Sequence, residues 1–132
     1  YDLVLDFAGA KRIALARAHQ RSDNAYNAVV GLFQAAGFAV TRIDDVPGMV
    51  VMRTVAMLAN KAADAVNQGV CSDAAVDTAM QKGVNYPRGP LAWTDAIGVA
   101  QVVTVLSNLA AGYGEDRYRV SPLLRRKLAG AP

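Results

Sequence analysis

The side chains that could act as a nucleophile or a base are few in this sequence and lie far apart. The one histidine, His19, follows Ala18 just ahead of a helix cap, and the one cysteine, Cys71, precedes a second cap at Ser72. Covalent and acid–base catalysis require a nucleophile and a base within hydrogen-bond reach of each other. We therefore predict a solvated histidine, a cysteine without a catalytic role and no catalytic residue in this chain.

Acidic side chains and metal-binding side chains also give weak patterns. Asp44 and Asp45 are adjacent, and neighbours along a regular element do not face one another, so we expect them to cap the following helix rather than share a proton. A single histidine and a single cysteine cannot supply the ligands of a thiolate or imidazole metal cluster. The sequence therefore predicts no metal site.

No loop in the sequence matches a phosphate cradle. The patterns G-x-G-x-x-G after a strand and G-x-x-x-x-G-K-[ST] are both absent. The segment Asn85–Pro90 contains a glycine, but two of its six residues are prolines, which lack the N–H group that a phosphate would bind. Because proline also stiffens the backbone, this segment is predicted to form a rigid corner between helices.

The basic residues Arg125, Arg126 and Lys127 form a cluster, whereas the rest of the +3 net charge is scattered. We interpret the cluster as the solvated face of a packed helix and predict no nucleic-acid partner. The alternative from a different functional class is a small nucleic-acid-binding domain, which salt-dependent retention on DNA or RNA would reveal.

Composition indicates a soluble, packed protein. Of the 132 residues 53% are hydrophobic and 19% are charged, and no apolar run approaches the length of about 20 residues that a spanning helix needs. A secretory signal is missing, and one unpaired cysteine suits a reducing cytosol. The chain also does not begin with Met. We expect a piece of a longer cytoplasmic protein without a membrane segment.

The first third of the chain has the pattern strand, strand, helix, strand. Apolar runs at Leu3–Leu5 and Ile13–Ala16 predict two strands, and Ser22 offers the cap of a helix that Gly37 ends. The segment Phe38–Ile43 is rich in β-forming residues and predicts the last strand. A strand, a helix and a strand with short links favour a βαβ unit with parallel pairing.

From Asp44 onward the apolar residues recur at helical spacing. Pro47 suits the first turn of a helix, because its missing N–H group would be unpaired there in any case. The predicted helical segments are Pro47–Gly69, Ser72–Gly83, Leu91–Ile97, Val102–Tyr113 and Ser121–Leu128. The remainder of the chain is therefore predicted to be mainly α-helical.

Three blocks of sequence resemble the helical domain of 3-hydroxyacyl-CoA dehydrogenases. The first is D-V-P-G-M-V-V-M-R-T at residues 45–54, followed by L-A-N-K-A at residues 58–62, which is similar to the family's D-x-P-G-F-[IV]-x-N-R-[LI]. The second is Q-G-V at residues 68–70 with D-T-A-M at residues 77–80. The third is G-V-N-Y-P-R-G-P-L at residues 83–91, which is similar to G-x-x-Y-P-x-G-P-[FL]. The blocks follow the family's order and spacing. The upstream segments Ile13–Ala18, Ser22–Ala36 and Phe38–Ile43 look like the closing strand–helix–strand of the family's nucleotide-binding domain, so the resemblance covers nearly the whole chain.

The resemblance implies a fold and an organisation into two domains. Residues 45–132 would form a helical domain like the C-terminal domain of 6-phosphogluconate dehydrogenase. Residues 1–44 would be a short βαβ remnant of a Rossmann-type nucleotide-binding domain. The full-length protein would oxidise the 3-hydroxyl of an acyl-CoA to a ketone with NAD⁺, as in fatty-acid β-oxidation. Its catalytic His–Glu pair and its NAD site would lie outside this chain, which is expected to bind no cofactor and to be inactive alone.

Two departures from the family pattern place the chain in a subgroup. Met52 replaces an Asn that contacts substrate, and Lys61 replaces a Glu. The chain resembles the second helical copy in long dehydrogenases, such as those of phenylacetate degradation that act on 3-hydroxyadipyl-CoA. The resemblance then implies a degenerate substrate pocket at Met52, Arg53, Tyr86, Pro87, Gly89 and Pro90.

The role expected of such a copy is packing. Its partners would be the protein's own N-terminal nucleotide-binding and first helical domains, or a second subunit in a homodimer. We expect the apolar surface of Met52–Val66, Val102–Leu109 and Leu123–Leu128 to exceed what a small globule hides, which predicts a partner-facing helical surface. The alternative is that this copy still lines a functional acyl-CoA pocket.

Overall fold

The computed structural model describes residues 1–130 and divides into two compact units, Tyr1–Met52 and Arg53–Pro132. The predicted domain boundary between residues 44 and 45 stays a prediction. The final two residues of the predicted helical domain, 131 and 132, lie outside the described residues.

The first unit is built around one βαβ element. Strand β1 (Arg12–Ala16) pairs in parallel with β2 (Ala39–Ile43), and helix α1 (Asp23–Ala35) forms the crossover between them. The Ser22 side chain accepts a hydrogen bond from the Ala25 amide at 3.3 Å, which caps α1 as the sequence predicts. The predicted βαβ unit is confirmed.

The prediction of an additional strand at Leu3–Leu5 is wrong. These residues adopt no regular structure, although the neighbouring Asp2 amide donates one hydrogen bond to the Ala14 carbonyl at 3.0 Å. A turn follows at once, because the Asp6 side chain accepts from the Ala8 amide at 2.9 Å. The apolar run is therefore too short to extend the ladder.

The rest of the described chain is helical, as predicted. The helices are α2 (Val51–Asn67), α3 (Asp73–Gly83), α4 (Pro90–Ile97), α5 (Val99–Tyr113) and α6 (Pro122–Ala129), with a 3₁₀ turn at Asp116–Tyr118. Ser72 caps α3 through the Ala75 amide, and Ser121 and Pro122 open α6. Each of these starts follows from a local preference for a hydroxyl cap or for proline in the first turn.

Pro47 does not lie in the first turn of a helix, contrary to our prediction. Helix α2 begins four residues later, at Val51. Gly48 has a φ of 74° and Met49 a φ of 51°, which is left-handed backbone that a right-handed helix cannot include. The chain therefore turns after Pro47 before α2 starts.

The helical unit has a well-filled core. Val102, Leu106 and Leu109 of α5 are almost fully buried, and so is Leu124 of α6. Helix α2 contributes a row of small residues, Ala56, Ala59 and Ala63, together with Val55. The spacing of these residues gives each helix one continuous apolar face.

This burial corrects the expectation of surplus apolar surface on the predicted helices. The α5 residues that were expected to face a partner are already packed inside the helical unit. Large exposed apolar side chains are more numerous in the first unit, at Tyr1, Leu5, Phe7, Val29, Leu32, Val46, Val50 and Val51. The large exposed apolar side chains of the described residues therefore lie mostly outside the three segments that the sequence indicated, with Leu128 as an exception.

Within residues 1–130 no single helix is long and apolar enough to cross a membrane, although α4 and α5, bent by 102°, together meet that length and composition.

Candidate functional site

The six residues predicted for a substrate pocket have separate surroundings. Met52, which the resemblance aligns with an Asn of the family, is buried in the first unit, where its amide donates to the Asp2 carboxylate at 2.9 Å. A buried thioether cannot donate a hydrogen bond to a ligand. Met52 therefore serves the packing at the start of α2.

Arg53 is held between two tyrosine rings. Its guanidinium carbon lies 4.9 Å from the ring centre of Tyr113 and 5.3 Å from that of Tyr118. It also donates hydrogen bonds to both hydroxyls, that of Tyr113 at 3.3 Å. Loss of water around Arg53 lowers its pKa, but the Tyr118 and Tyr113 contacts outweigh this and leave the pKa above its ordinary value. The charge is thus engaged within the helical unit.

Of the other four predicted pocket residues, three lie in the loop before α4 and the fourth, Pro90, begins that helix. The Tyr86 ring lies 5.8 Å from that of Trp93, Pro87 is exposed, and Gly89 and Pro90 are buried. Pro90 is the first residue of α4 rather than part of the loop, because its fixed φ suits that position. Tyr86 and Arg53 thus have different aromatic partners, and the pocket role of all six residues stays a prediction.

Asp77 explains why this loop needs glycine. Its carboxylate accepts hydrogen bonds from the Leu91 amide at 2.8 Å and the Ala92 amide at 2.9 Å, which caps α4 from another helix. A β-carbon on Gly89 would overlap the Cβ and Cγ of Asp77. The backbone at Gly89 is ordinary, with φ −69° and ψ 151°, so space rather than conformation demands glycine.

The carboxylate that caps α2 is Asp2, not Asp44 or Asp45 as predicted. Its two oxygens accept from the amides of Val50 at 2.9 Å, Val51 at 2.6 Å and Met52 at 2.9 Å. All four residues belong to the first unit. Burial raises the pKa of the Asp2 carboxyl, but its backbone hydrogen bonds lower it further, so the pKa lies below its ordinary value.

Asn60 forms two hydrogen bonds with the backbone of the segment before α6. It is fully buried, donates from Nδ2 to the Arg119 carbonyl at 2.8 Å and accepts at Oδ1 from the Ser121 amide at 2.8 Å. An amide can satisfy a donor and an acceptor of an irregular backbone at the same time. Although the sequence block L-A-N-K-A contains Asn60, nothing in its local pattern indicates this partner.

The remaining candidate residues have the following surroundings in the described part of the chain. His19 lies exposed in the loop before α1, and Cys71 is a free, half-buried thiol. Residues 1–130 contain no group of three side chains suited to hold a metal. The basic cluster has partners: Lys127 pairs with Asp73 at 2.6 Å and Arg126 with Asn67 at 2.8 Å.

A dinucleotide does not fit the loop between β1 and α1. A Rossmann loop offers glycines and free helix amides to a pyrophosphate. Here residues 17–22 contain no glycine, and the Ser22 hydroxyl already accepts from the Ala25 amide. Asp23 adds a negative charge in the first turn, and Arg17 is paired with it at 3.0 Å. No step of NAD chemistry can be assigned to this loop.

Comparison with protein families matches nearly all of the chain. Residues 48–130 match the model for the 3-hydroxyacyl-CoA dehydrogenase C-terminal domain. Residues 1–47 match the model for the 3-hydroxybutyryl-CoA dehydrogenase reduced Rossmann-fold domain. The expected remnant of a Rossmann-type domain is confirmed.

Curated relatives carry the corresponding names. The chain is 43% identical over 125 residues to the 3-hydroxyadipyl-CoA dehydrogenase of Escherichia coli, covering 95% of this chain and 26% of the relative. It is 33% identical over 116 residues to a probable 3-hydroxybutyryl-CoA dehydrogenase of Bacillus subtilis, covering 88% of this chain and 40% of the relative. The chain thus spans about a quarter to two fifths of the length of these relatives.

Solved structures agree with this grouping. A crystal structure of 3-hydroxybutyryl-CoA dehydrogenase from E. coli matches 90% of this chain and 25% of that chain, at 44% identity and a TM-score of 0.86. The (S)-3-hydroxybutyryl-CoA dehydrogenase of Ralstonia eutropha matches 92% of this chain and 43% of that chain, at 30% identity and a TM-score of 0.83. The chain belongs to the 3-hydroxyacyl-CoA dehydrogenase family. It consists of the family's helical C-terminal domain with a reduced Rossmann-fold segment before it.

Proposed function

We propose that this chain is a structural part of an NAD-dependent 3-hydroxyacyl-CoA dehydrogenase and contributes packing rather than catalytic groups. One observation carries the proposal: within residues 1–130, no buried side-chain nitrogen or oxygen lacks a hydrogen-bond partner. Catalytic sites keep polar groups available for a substrate, often with perturbed pKa values. The buried polar side chains of this chain have their hydrogen bonds within the fold.

The residues at the family's substrate positions support the same conclusion. Met52 offers no hydrogen bond, and Arg53 is engaged by Tyr113 and Tyr118. A substrate carbonyl or hydroxyl that approached Arg53 would have to compete with two phenolic oxygens already in place. We infer that this copy of the helical domain does not bind the acyl-CoA.

For the full-length protein we propose oxidation of the 3-hydroxyl of an acyl-CoA to a 3-ketone, with NAD⁺ as hydride acceptor. The E. coli relative is named for 3-hydroxyadipyl-CoA, so that dicarboxylic thioester is the first substrate to test. The role would then be in phenylacetate degradation, or more generally in β-oxidation, and in the cytoplasm. NAD and the catalytic pair would be held outside these residues.

The packing partner we propose is the rest of the same polypeptide, meaning its nucleotide-binding domain and first helical domain, or a second subunit in a dimer. The chain spans 26% of the E. coli relative, so most of such a protein lies outside it. Exposed apolar side chains in the first unit, among them Leu32 and Val29, supply the surface for such contacts.

An NAD⁺-reduction assay tests the proposal. Three samples are compared with 3-hydroxyadipyl-CoA: this chain, the remainder of the full-length protein, and the two mixed. We expect no turnover by this chain, measurable turnover by the remainder, and higher activity or a longer active lifetime in the mixture. A remainder that is fully active, stable and indifferent to the added chain would contradict the packing role.

The competing roles make different predictions in the same samples. Turnover by this chain alone would show that it carries catalytic groups. Calorimetric titration with a CoA thioester would show binding if the pocket at Met52, Arg53 and the Tyr86–Pro90 loop were still functional. Salt-dependent retention on DNA would support a nucleic-acid role, although Arg126 and Lys127 already have partners within the fold.

A further inference from the structure

Helix α1 has two apolar faces, and only one of them is used. Tyr26, Val30 and Phe33 are half-buried, whereas Val29 is 43% and Leu32 is 68% exposed. No residue of α1 is fully buried, and Asp23 is its only charged residue. A surface helix ordinarily turns charged or polar residues outward, so an outward face without charge indicates a surface that is covered in the working protein.

The outward face is a continuous stripe. Ala25, Ala28, Val29, Leu32 and Ala36 follow one another at helical spacing, and all are exposed. We call these five residues the α1 stripe. They lie on one side of the helix because residues three and four positions apart share a face. Small side chains alternate with larger ones, which leaves room for another chain to pack closely.

A groove continues the α1 stripe at its N-terminal end. It has a volume of about 350 Å³, and Ala25 and Val29 line it together with Leu15 and Tyr1. Arg17 at this groove is paired with Asp23 at 3.0 Å, so its charge is partly neutralised. Arg21 also lines the groove, whose remaining lining is mostly apolar, and an apolar stripe that runs into such a groove suits a polypeptide segment.

We propose that the α1 stripe and its groove are covered by the part of the full-length dehydrogenase that lies N-terminal to these 132 residues. This inference rests on the proposed packing function and names its surface. The E. coli relative is about four times as long as the matched region, which is 26% of its length. Tyr1 lines the groove and its ring lies 6.4 Å from that of Phe33, so a segment joined to Tyr1 on its N-terminal side would enter at this surface.

A tethered occupant is favoured over a second copy of the chain. Segments of one polypeptide meet at an effective concentration of about millimolar when the connection is short. A second copy at micromolar concentration would compete poorly for the same surface. The cover should therefore come from the same molecule, and its presence should not depend on protein concentration.

Cysteine labelling tests this directly. Leu32→Cys lies on the α1 stripe, and Asn27→Cys is the matched control, because Asn27 is exposed on a different face of the same helix. Both are made with Cys71→Ser, in this chain and in the full-length protein. Reaction of each site with a maleimide is followed by mass spectrometry of its own peptide, so that other cysteines do not contribute. Because Leu32 is 68% exposed, the substitution should leave folding intact.

The expected result is selective protection. In the full-length protein Leu32→Cys should react at least about tenfold more slowly than Asn27→Cys, whereas in the isolated 132-residue chain the two rates should be similar. Equal rates in the full-length protein would overturn the inference. So would protection in the isolated chain, whether at high dilution or only at high concentration, because the cover would then be this chain itself or a second copy.

The two proposals can fail separately. If the chain activates or stabilises the remainder while Leu32→Cys stays fully reactive in the full-length protein, the packing function stands and this surface is wrong. If Leu32→Cys is protected in the full-length protein but the remainder is fully active and stable alone, the surface is right and the functional need for packing is wrong.

Discussion

The side chain of Asp77 occupies the space that a β-carbon at Gly89 would need, and the same carboxylate caps α4. The family blocks D-x-A-M and Y-P-x-G-P are therefore two halves of one contact. The aspartate supplies the acceptor for the Leu91 and Ala92 amides, and the glycine lets it approach. The contact explains the aspartate of the first block and the glycine of the second without a ligand.

Gly89→Ala should destabilise the helical unit. The added methyl group would overlap Asp77 at its Cβ, which cannot swing away as a side-chain tip can, so we expect a cost of about 1–3 kcal/mol in unfolding free energy. Chemical denaturation followed by circular dichroism measures it. Gly112→Ala, in α5 with nothing within 4 Å of the new atom, is the control and should be neutral or stabilising. Equal effects of the two substitutions would refute the steric argument.

Asp2→Ala should weaken the start of α2. Loss of a side-chain cap costs about 0.5–2 kcal/mol, and the upper part of that range is expected because one carboxylate serves three amides of this segment. Asp45→Ala removes the same charge from an exposed position and should change the free energy by less than about 0.5 kcal/mol. A similar loss from both variants would mean that charge, and not capping, accounts for it.

The Asp2 cap should make stability depend on acidity. The folded-state pKa of Asp2 lies below its unfolded value of about 3.9, so the stabilisation is complete above that pH and is lost as pH falls through the folded pKa. The difference in unfolding free energy between the native chain and Asp2→Asn should therefore be constant near neutrality and shrink in stronger acid. A difference that persists unchanged at pH about 2 would show that the ionised carboxylate is not the stabilising form.

Asn60→Ala should be among the more damaging single changes in the helical unit. It leaves the Arg119 carbonyl and the Ser121 amide without their partner, at a cost of about 1–3 kcal/mol for each buried group. Asn67→Ala, which removes an exposed contact with Arg126, is the matched control, with an expected effect below about 0.5 kcal/mol. If Asn60→Ala unfolds at the same denaturant concentration as the control, water must satisfy both groups.

Local signals in the sequence predict most of the fold. Ser22, Ser72 and Ser121 mark helix starts through preferences that act within one turn, and the structure places α1, α3 and α6 directly after them. Predictions failed where a residue far away in the sequence determines how a helix begins. Helix α2 was expected at Pro47 with a nearby acidic cap, but the cap is Asp2, and Gly48 turns the chain first.

For the candidate site, the sequence predicted which positions belong to it but not which residues they contact. The motif located Arg53 and the Tyr86–Pro90 loop, but the partners of Arg53 are Tyr113 and Tyr118, which lie 60 and 65 positions away. Periodicity carries no information about such pairs. Whether the six predicted residues touch a substrate stays a prediction, because their contacts within the fold describe packing.

The capping of α2 by Asp2 also imposes an order on protein synthesis. Asp2 leaves the ribosome well before the amides that it binds, which lie 48 to 50 positions further along. The pairing of β1 with β2 needs a shorter stretch and can close earlier. The carboxylate of Asp2 therefore lacks these three partners on a nascent chain until α2 begins to emerge, so a pause in translation before that point would leave this segment less well held and more open to proteases and chaperones.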